Sequence, residues 1–165
     1  MNTNLSQKPK IDAVILWVNG NDKKHQDKIL KFVKNKNLVK NKAFRTRYDQ
    51  VNEIKYTIDS LLKFAPFLRK IHLITDNQKP DFINKKNKDK YNKIFLVDHK
   101  KIFEGYQEYL PTFNCRSIET CMYRTPGLSE HFIYLNDDFF LIRHTKIEDF
   151  FRAGLPVLRL SLIHI

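Results

Sequence analysis

The stretch His131-Phe-Ile-Tyr-Leu-Asn-Asp-Asp-Phe-Phe-Leu-Ile142 constrains this chain more than any other. Phe132 to Leu135 is an apolar run rich in aromatic and branched residues and reads as a buried strand. The run breaks at Asn136-Asp137-Asp138 and turns apolar again at Phe139. Three polar residues wedged between apolar runs suit a strand end, where a buried chain surfaces. In open α/β sheets the carboxyl ends of strands are where ligands bind. Adjacent carboxylates repel one another, so a fold that places them together commonly supplies a cation. Hard oxygen ligands of this kind suit Mg²⁺ or Mn²⁺. A solvated Asn-Asp-Asp turn between two hairpin strands is the plainer alternative.

The rest of the chain repeats the theme of strands that end in polar clusters. Ile11 to Val18 reads as a central strand ending in Trp17-Val18-Asn19-Gly20-Asn21-Asp22, and Asn21 or Asp22 can cap a helix over Lys23 to Lys34. Taken alone, that turn reads as an ordinary β–α connection. The spacing of Ile54, Ile58, Leu61, Leu62 and Ala65 predicts an amphipathic helix over Asn52 to Phe64, ended by Pro66. Arg47, at the junction before it, suits either a phosphate or a pairing with Glu53. Ile71 to Thr75 and Ile94 to Val97 read as short buried strands, and His99 after the second reads as structural. A helix is predicted over Cys115 to Arg124, with Arg116, Glu119 and Tyr123 in one sector and Ile118, Cys121 and Met122 in the apolar one. Arg and Glu three apart are ordinarily a surface pair. Facing a sheet's carboxyl edge, they become a phosphate ligand and a base. A short helix is expected over Thr145 to Phe151.

This order of elements predicts an α/β fold with a mostly parallel sheet flanked by helices, in one domain's worth of 165 residues. Four glycines argue against a Gly-rich phosphate loop as the main device. A net charge of +12 invites a nucleic-acid reading, but the lysines are scattered, thickest from Lys79 to Lys101, and mixed with Asn and Ile. No nucleic-acid module is recognisable, and no nucleic-acid partner is expected. A solvated basic surface is the better reading, suited to anionic substrates or an anionic membrane face. Cys115 and Cys121 read as reduced, mostly buried thiols. With neither a signal peptide nor an apolar stretch long enough to span a bilayer, a cytoplasmic place is expected.

Taken together the segments resemble the Stealth family of sugar-1-phosphate transferases. The family serves bacterial capsule synthesis and includes the animal enzyme that adds N-acetylglucosamine-1-phosphate to lysosomal glycoproteins. Ile11-Asp-Ala-Val-Ile-Leu-Trp-Val-Asn-Gly-Asn-Asp22 is similar to the family's first conserved region, about 11–33. Arg47, Glu53 to Ser60, Ala65-Pro66, Ile71 to Thr75, Gln78, Leu110 to Asn114, Ile118-Glu119, Pro126 to Ser129 and Phe132 to Asp138 are similar to its second, about 44–150.

The resemblance implies a Rossmann-like, glycosyltransferase-A-like fold over residues 11–157, a UDP-sugar donor and a polysaccharide or oligosaccharide acceptor. An acceptor hydroxyl attacks the sugar-bearing phosphate and UMP leaves. It implies Asp137 and Asp138 as ligands of Mg²⁺ (or Mn²⁺), with Glu119 and Asp138 catalytic. Trp17, Asn19, Asp22, Arg47, Arg116, Arg124 and Asn136 are the implied substrate-binding residues. Peripheral contact with the inner face of the cytoplasmic membrane is a further expectation. Residues 1–10 are expected to be disordered. The family continues into further conserved segments, so the chain reads as truncated, with 158–165 an artefactual tail and with weak or no donor binding by the fragment alone. The competing readings are a metal-dependent glycosyltransferase that releases UDP, and a non-catalytic basic module binding sugar nucleotides or nucleic acid.

Overall fold

The backbone of the first strand, β1 (Ile11–Leu16), is paired on both sides, and apart from the buried Asp12 its sequence is apolar, as suits an interior strand. The computed structural model describes residues 9–45 and 50–158. Four parallel strands, β1, β2 (Leu68–Thr75), β3 (Ile94–Asp98) and β4 (His131–Leu135), form a sheet in the order β3-β2-β1-β4. From β1 the chain winds one way to β2 and β3, then crosses back to place β4 on the other flank of β1. The order therefore reverses between β1 and β4, and the fold is Rossmann-like α/β.

Side chains of β1 alternate between two cores. Ile11, Ala13, Ile15 and Trp17 pack with Ile54, Ile58 and Leu61 of helix α3 (Glu53–Phe64), α1 (Lys23–Phe32) and α2 (Lys42–Arg45) having come before it. Val14 faces the opposite way with Ile74 and Val97, covered by Ile102 of α4 (His99–Ile102) and Ile118 of α5 (Cys115–Glu119). Helices on both faces are what a parallel sheet requires to bury both surfaces.

Beyond β4 the chain runs back along α3. Thr57 Oγ1 donates to the Asp137 carbonyl at 2.6 Å, the Leu141 amide to Ser60 Oγ at 2.9 Å, and the Thr145 amide to the Phe64 carbonyl at 2.8 Å. A small hairpin follows, β5 (Phe151–Arg152) and β6 (Leu155–Pro156), turned by Ala153 and Gly154 with φ of 49° and 79°. Two consecutive positive φ values suit a two-residue hairpin loop, and a glycine takes one of them without a Cβ penalty.

Several expectations are corrected by the structure. The strands predicted as buried at Phe132–Leu135 and Ile94–Val97 are the two edges of the sheet among the described residues, so β4 is half-buried and Phe95 and Leu96 of β3 are exposed. The plainer hairpin reading of Asn136–Asp138 fails, since β4 pairs in parallel with β1 and Phe139–Ile142 forms no strand. The helix predicted over Cys115–Arg124 ends at Glu119, followed by a 3₁₀ turn at Met122–Arg124, and Cys115 is exposed. Over Thr145–Phe151 there is a 3₁₀ turn, Ile147–Asp149, that leads into β5. No helix among the described residues is long and apolar enough to cross a membrane.

Candidate functional site

The carboxyl ends of β1 and β4 lie side by side, in register from Ile11 opposite His131 to Ile15 opposite Leu135. The two polar clusters picked out by sequence, Trp17–Asp22 and Asn136–Asp138, therefore emerge at one edge, at the point where strand order reverses. Crevices at this point are the usual ligand sites of open α/β sheets.

The β1–α1 turn is held from three sides. Trp17 is buried and its indole N–H donates to Gln50 Oε1 at 3.2 Å, while the Gln50 amide donates to the Val18 carbonyl. Gln78, just past β2, takes the Asn19 peptide at both ends: it accepts the Asn19 amide at 2.7 Å and donates to the Asn19 carbonyl at 3.1 Å. Its amide also reaches Asp22 Oδ2 at 2.9 Å, and that bond, foremost, holds the Asp22 carboxyl below its ordinary range. Asp22 Oδ1 caps α1 through the Lys24 amide at 2.9 Å. Asp76 anchors the same helix, with His25 Nδ1 at 3.2 Å and Lys28 Nζ at 2.5 Å from one carboxylate oxygen. His25, then Lys28, keep Asp76 ionised well below the usual carboxylate range. Replacing Gln78 by Ala removes three hydrogen bonds, so a stability loss of about 1–3 kcal/mol is expected, with faster amide exchange at Asn19. Unchanged exchange there would contradict the clamp.

At the end of β4, Tyr134 donates to Glu119 Oε1 at 2.8 Å and lies 3.3 Å from Asn136 Oδ1. Burial, then the Glu119 carboxylate, push the Tyr134 hydroxyl above its ordinary value, so it remains a neutral donor. Glu119 is thereby fixed on the sheet side of α5 with one oxygen engaged. Asp137 is half-buried and its carboxyl is pushed up to about 6, first by burial and then by the charges of Asp138 and Glu53. Glu53 opens the first turn of α3, the helix whose Thr57 holds the Asp137 carbonyl.

Of the residues proposed from sequence, Trp17, Asn19, Asp22, Asn136, Asp137, Asp138 and, through Tyr134, Glu119 come together at this edge. Arg116 is exposed in the first turn of α5. Arg124 is held elsewhere: its guanidinium donates to the Glu104 carbonyl at 2.6 Å and stacks 4.9 Å over the Tyr106 ring. Arg47 lies outside the described residues. Sequence reasoning missed the parts played by Glu53, Gln50, Gln78 and Tyr134. Tyr134 sits two residues before Asn136 on the same strand face, a signal that was available from the alternation of β4.

Among the described residues no group of three or more His, Cys, Asp or Glu side chains is gathered tightly enough to hold a metal by itself. A donor set of two carboxylates nonetheless fits Mg²⁺, which is commonly bound through one or two carboxylates plus substrate phosphates and water. The Asp137 carboxyl is raised first by burial and then by the charges of Asp138 and Glu53, and a bound cation would favour its ionised form.

Comparison with known proteins decides the family. The family model for Stealth protein conserved region 2 matches residues 47–157, and that for conserved region 1 matches residues 9–37. The chain belongs to the Stealth family. Among its Stealth relatives, a capsular polysaccharide phosphotransferase of Actinobacillus pleuropneumoniae is 40% identical over 92% of this chain and 41% of the relative. One from Haemophilus influenzae is 42% identical over 92% of this chain and 41% of the relative. An exopolysaccharide phosphotransferase of Streptomyces coelicolor is 38% identical over 87% of this chain and 23% of the relative. The chain thus spans about two fifths or less of the length of these relatives.

Proposed function

We propose that this Stealth chain forms the donor-binding part of an enzyme that moves a sugar-1-phosphate from a UDP-sugar to a hydroxyl of a growing capsular or exopolysaccharide chain. The observation that carries this reading is the meeting of Trp17–Asp22 with Asn136–Asp138 at the strand-order switch, in a family whose relatives bear the name of polysaccharide phosphotransferases.

In this reading the acceptor oxygen bonds to the phosphorus that carries the sugar, and the bond from that phosphorus to the bridging oxygen breaks. UMP leaves with the bridging oxygen. The acceptor proton goes to Glu119, one oxygen of which is bonded by Tyr134. Asp137 and Asp138 would hold Mg²⁺ or Mn²⁺, which supplies neutralisation of the diphosphate charge. Asn19 and Asp22 line the nucleotide-sugar side with Trp17 packed beneath them, and Asn136, Arg116 and Arg47 are the candidates for phosphate and sugar oxygens. Tyr134 orients Glu119, and Gln78 keeps the β1–α1 turn in shape. The charge of +12 favours work at the anionic inner face of the cytoplasmic membrane.

The test is the nucleotide product. The chain, alone and joined to the downstream part of the Haemophilus relative, is incubated with UDP-N-acetylglucosamine, Mg²⁺ and acceptor polysaccharide, and the nucleotides are separated. UMP supports phosphoryl transfer. UDP would mean cleavage at the sugar carbon and defeat the reading.

A further inference from the structure

On the flank of α5 away from β4 lies a cleft of about 460 Å³, within the usual range for small-molecule sites. Its walls carry Tyr106, Tyr109 and Tyr123, exposed by 51%, 64% and 68%. Large aromatic surface left in water is unfavourable, and three such rings gathered on one concavity are a signal for a ligand with matching apolar faces. The platform is built rather than loose. Gly105, with φ of 83°, makes the turn that presents Tyr106. Arg124 fixes that ring from above while bonded to the Glu104 carbonyl, and Tyr106 and Tyr109 lie side by side with centroids 6.4 Å apart and planes 35° from parallel. Hydroxyls of Ser117 and Thr120 line the same cleft. Thr120 donates to the Ser117 carbonyl at 2.9 Å and so presents its lone pairs as acceptors.

Flat aromatic faces beside hydroxyls and a guanidinium match the chemistry of a sugar chain. Pyranose rings offer an apolar C–H face for stacking and a rim of hydroxyls for Ser, Thr and Arg. A nucleic acid would also stack, but it carries a phosphate at every nucleotide, and Glu104 and Glu108, in the segment that presents Tyr106 and Tyr109, oppose so dense a charge more than the sparser charge of a sugar chain. The cleft and Glu119 share one short helix, the cleft on one side and Glu119 turned to Tyr134 on the other.

We propose that the Tyr106–Tyr109–Tyr123 cleft binds sugar rings of the acceptor polysaccharide and leads its growing end past α5 toward Glu119. This rests on the phosphotransferase reading for the direction of the chain, but the sugar site stands or falls on its own binding.

The test is titration calorimetry of this chain with maltohexaose, cellohexaose, chitohexaose and a phosphodiester-containing capsular polysaccharide. Saturable binding of at least one is expected. Tyr109→Ala and Tyr123→Ala should each weaken it by about tenfold, while Tyr→Phe at either position keeps it within about threefold. Both side chains are exposed, so folding should survive, as checked by circular dichroism. Affinity for UDP-N-acetylglucosamine should not change in these variants, which separates failure of the cleft from failure of the donor site. No saturable binding of any probe by folded protein would overturn the proposal, as would binding indifferent to both alanine variants. So would binding of the charged polymer alone that disappears at about 0.5 M salt, which is charge attraction without stacking.

Discussion

Asp137→Asn is expected to make the metal-free protein more stable and its donor site ineffective. Burial, followed by the neighbouring Asp138 and Glu53 charges, raises the Asp137 carboxyl from 3.8 to about 6. A carboxyl raised on folding favours the native state below its unfolded value and loses that benefit as pH climbs through the folded value. Above pH 6 the ionised group therefore costs stability, on the order of 1–2 kcal/mol after allowance for its partial exposure. Asparagine removes that cost. Urea unfolding at pH 7.5 should show the variant gaining about that much, with no gain at pH 4. In the same protein, Mg²⁺-dependent binding of UDP-N-acetylglucosamine should fall by about a hundredfold or more, since each 1.4 kcal/mol is tenfold and a metal ligand is lost. A group retained at a cost to the fold is explained by what it binds. A variant neither stabilised nor weakened in donor binding would contradict this.

Arg69→Met should cause the opposite effect, a loss of stability without direct damage to the site. Asp12 has no solvent exposure and lies near the amino end of β1, at the far edge of the sheet from the donor crevice. Arg69 meets it with Nη2 at 2.5 Å and Nε at 2.9 Å, His72 Nε2 lies at 3.2 Å, and the Ser129 amide donates at 2.9 Å. Arg69 also donates to the Gly127 carbonyl at 2.8 Å, so the cluster ties β1 to β2 and to the turn before β4. Burial pushes Asp12 up, but Arg69, the Ser129 amide and His72 together outweigh it and bring the carboxyl down to about 2. Taking away the guanidinium leaves a buried charge without its main partner, at a cost of about 3–5 kcal/mol. The pH signature follows from the sign of the shift. A depressed carboxyl contributes stability above its unfolded value of 3.8 and loses it as pH falls through the folded value near 2. The wild type should weaken across that interval, and Arg69→Met should be weak already at pH 7 with a shallower acid slope. Unfolding in urea at pH 7 and pH 3 measures both. A loss under 1 kcal/mol at pH 7 would mean that Asp12 is solvated after all.

Much of this architecture was legible because burial leaves a strong trace in sequence. Ile11–Leu16 reads as an interior strand since both its faces are covered, and α3 is recognisable because Ile54, Ile58 and Leu61 must all reach one core. The polar clusters after β1 and β4 stood out against those apolar runs. Their adjacency was not legible, since strand order depends on contacts between distant segments. The half-burial of β4 escaped for the same reason: an edge strand and an interior one can share an apolar sequence. The early end of α5 is a local competition. Thr120 turns its hydroxyl back onto the Ser117 carbonyl, where the helix gives way to a 3₁₀ turn. The expected helix after Thr145 yields because Thr145 is pinned to the Phe64 carbonyl by both amide and hydroxyl and the Ala153-Gly154 turn draws Phe151 into a hairpin. Gln78 and Gln50, which hold the β1–α1 turn in shape from distant positions in the chain, have no spacing rule that could have marked those parts.

The most direct measurement of the central claim is calorimetric titration of this chain with UDP-N-acetylglucosamine, with and without Mg²⁺, beside the Asp137→Ala, Asp138→Ala double variant. Saturable binding that needs Mg²⁺ and is lost in the folded double variant is expected. Binding of equal strength without metal, or binding that survives removal of both aspartates, would contradict it.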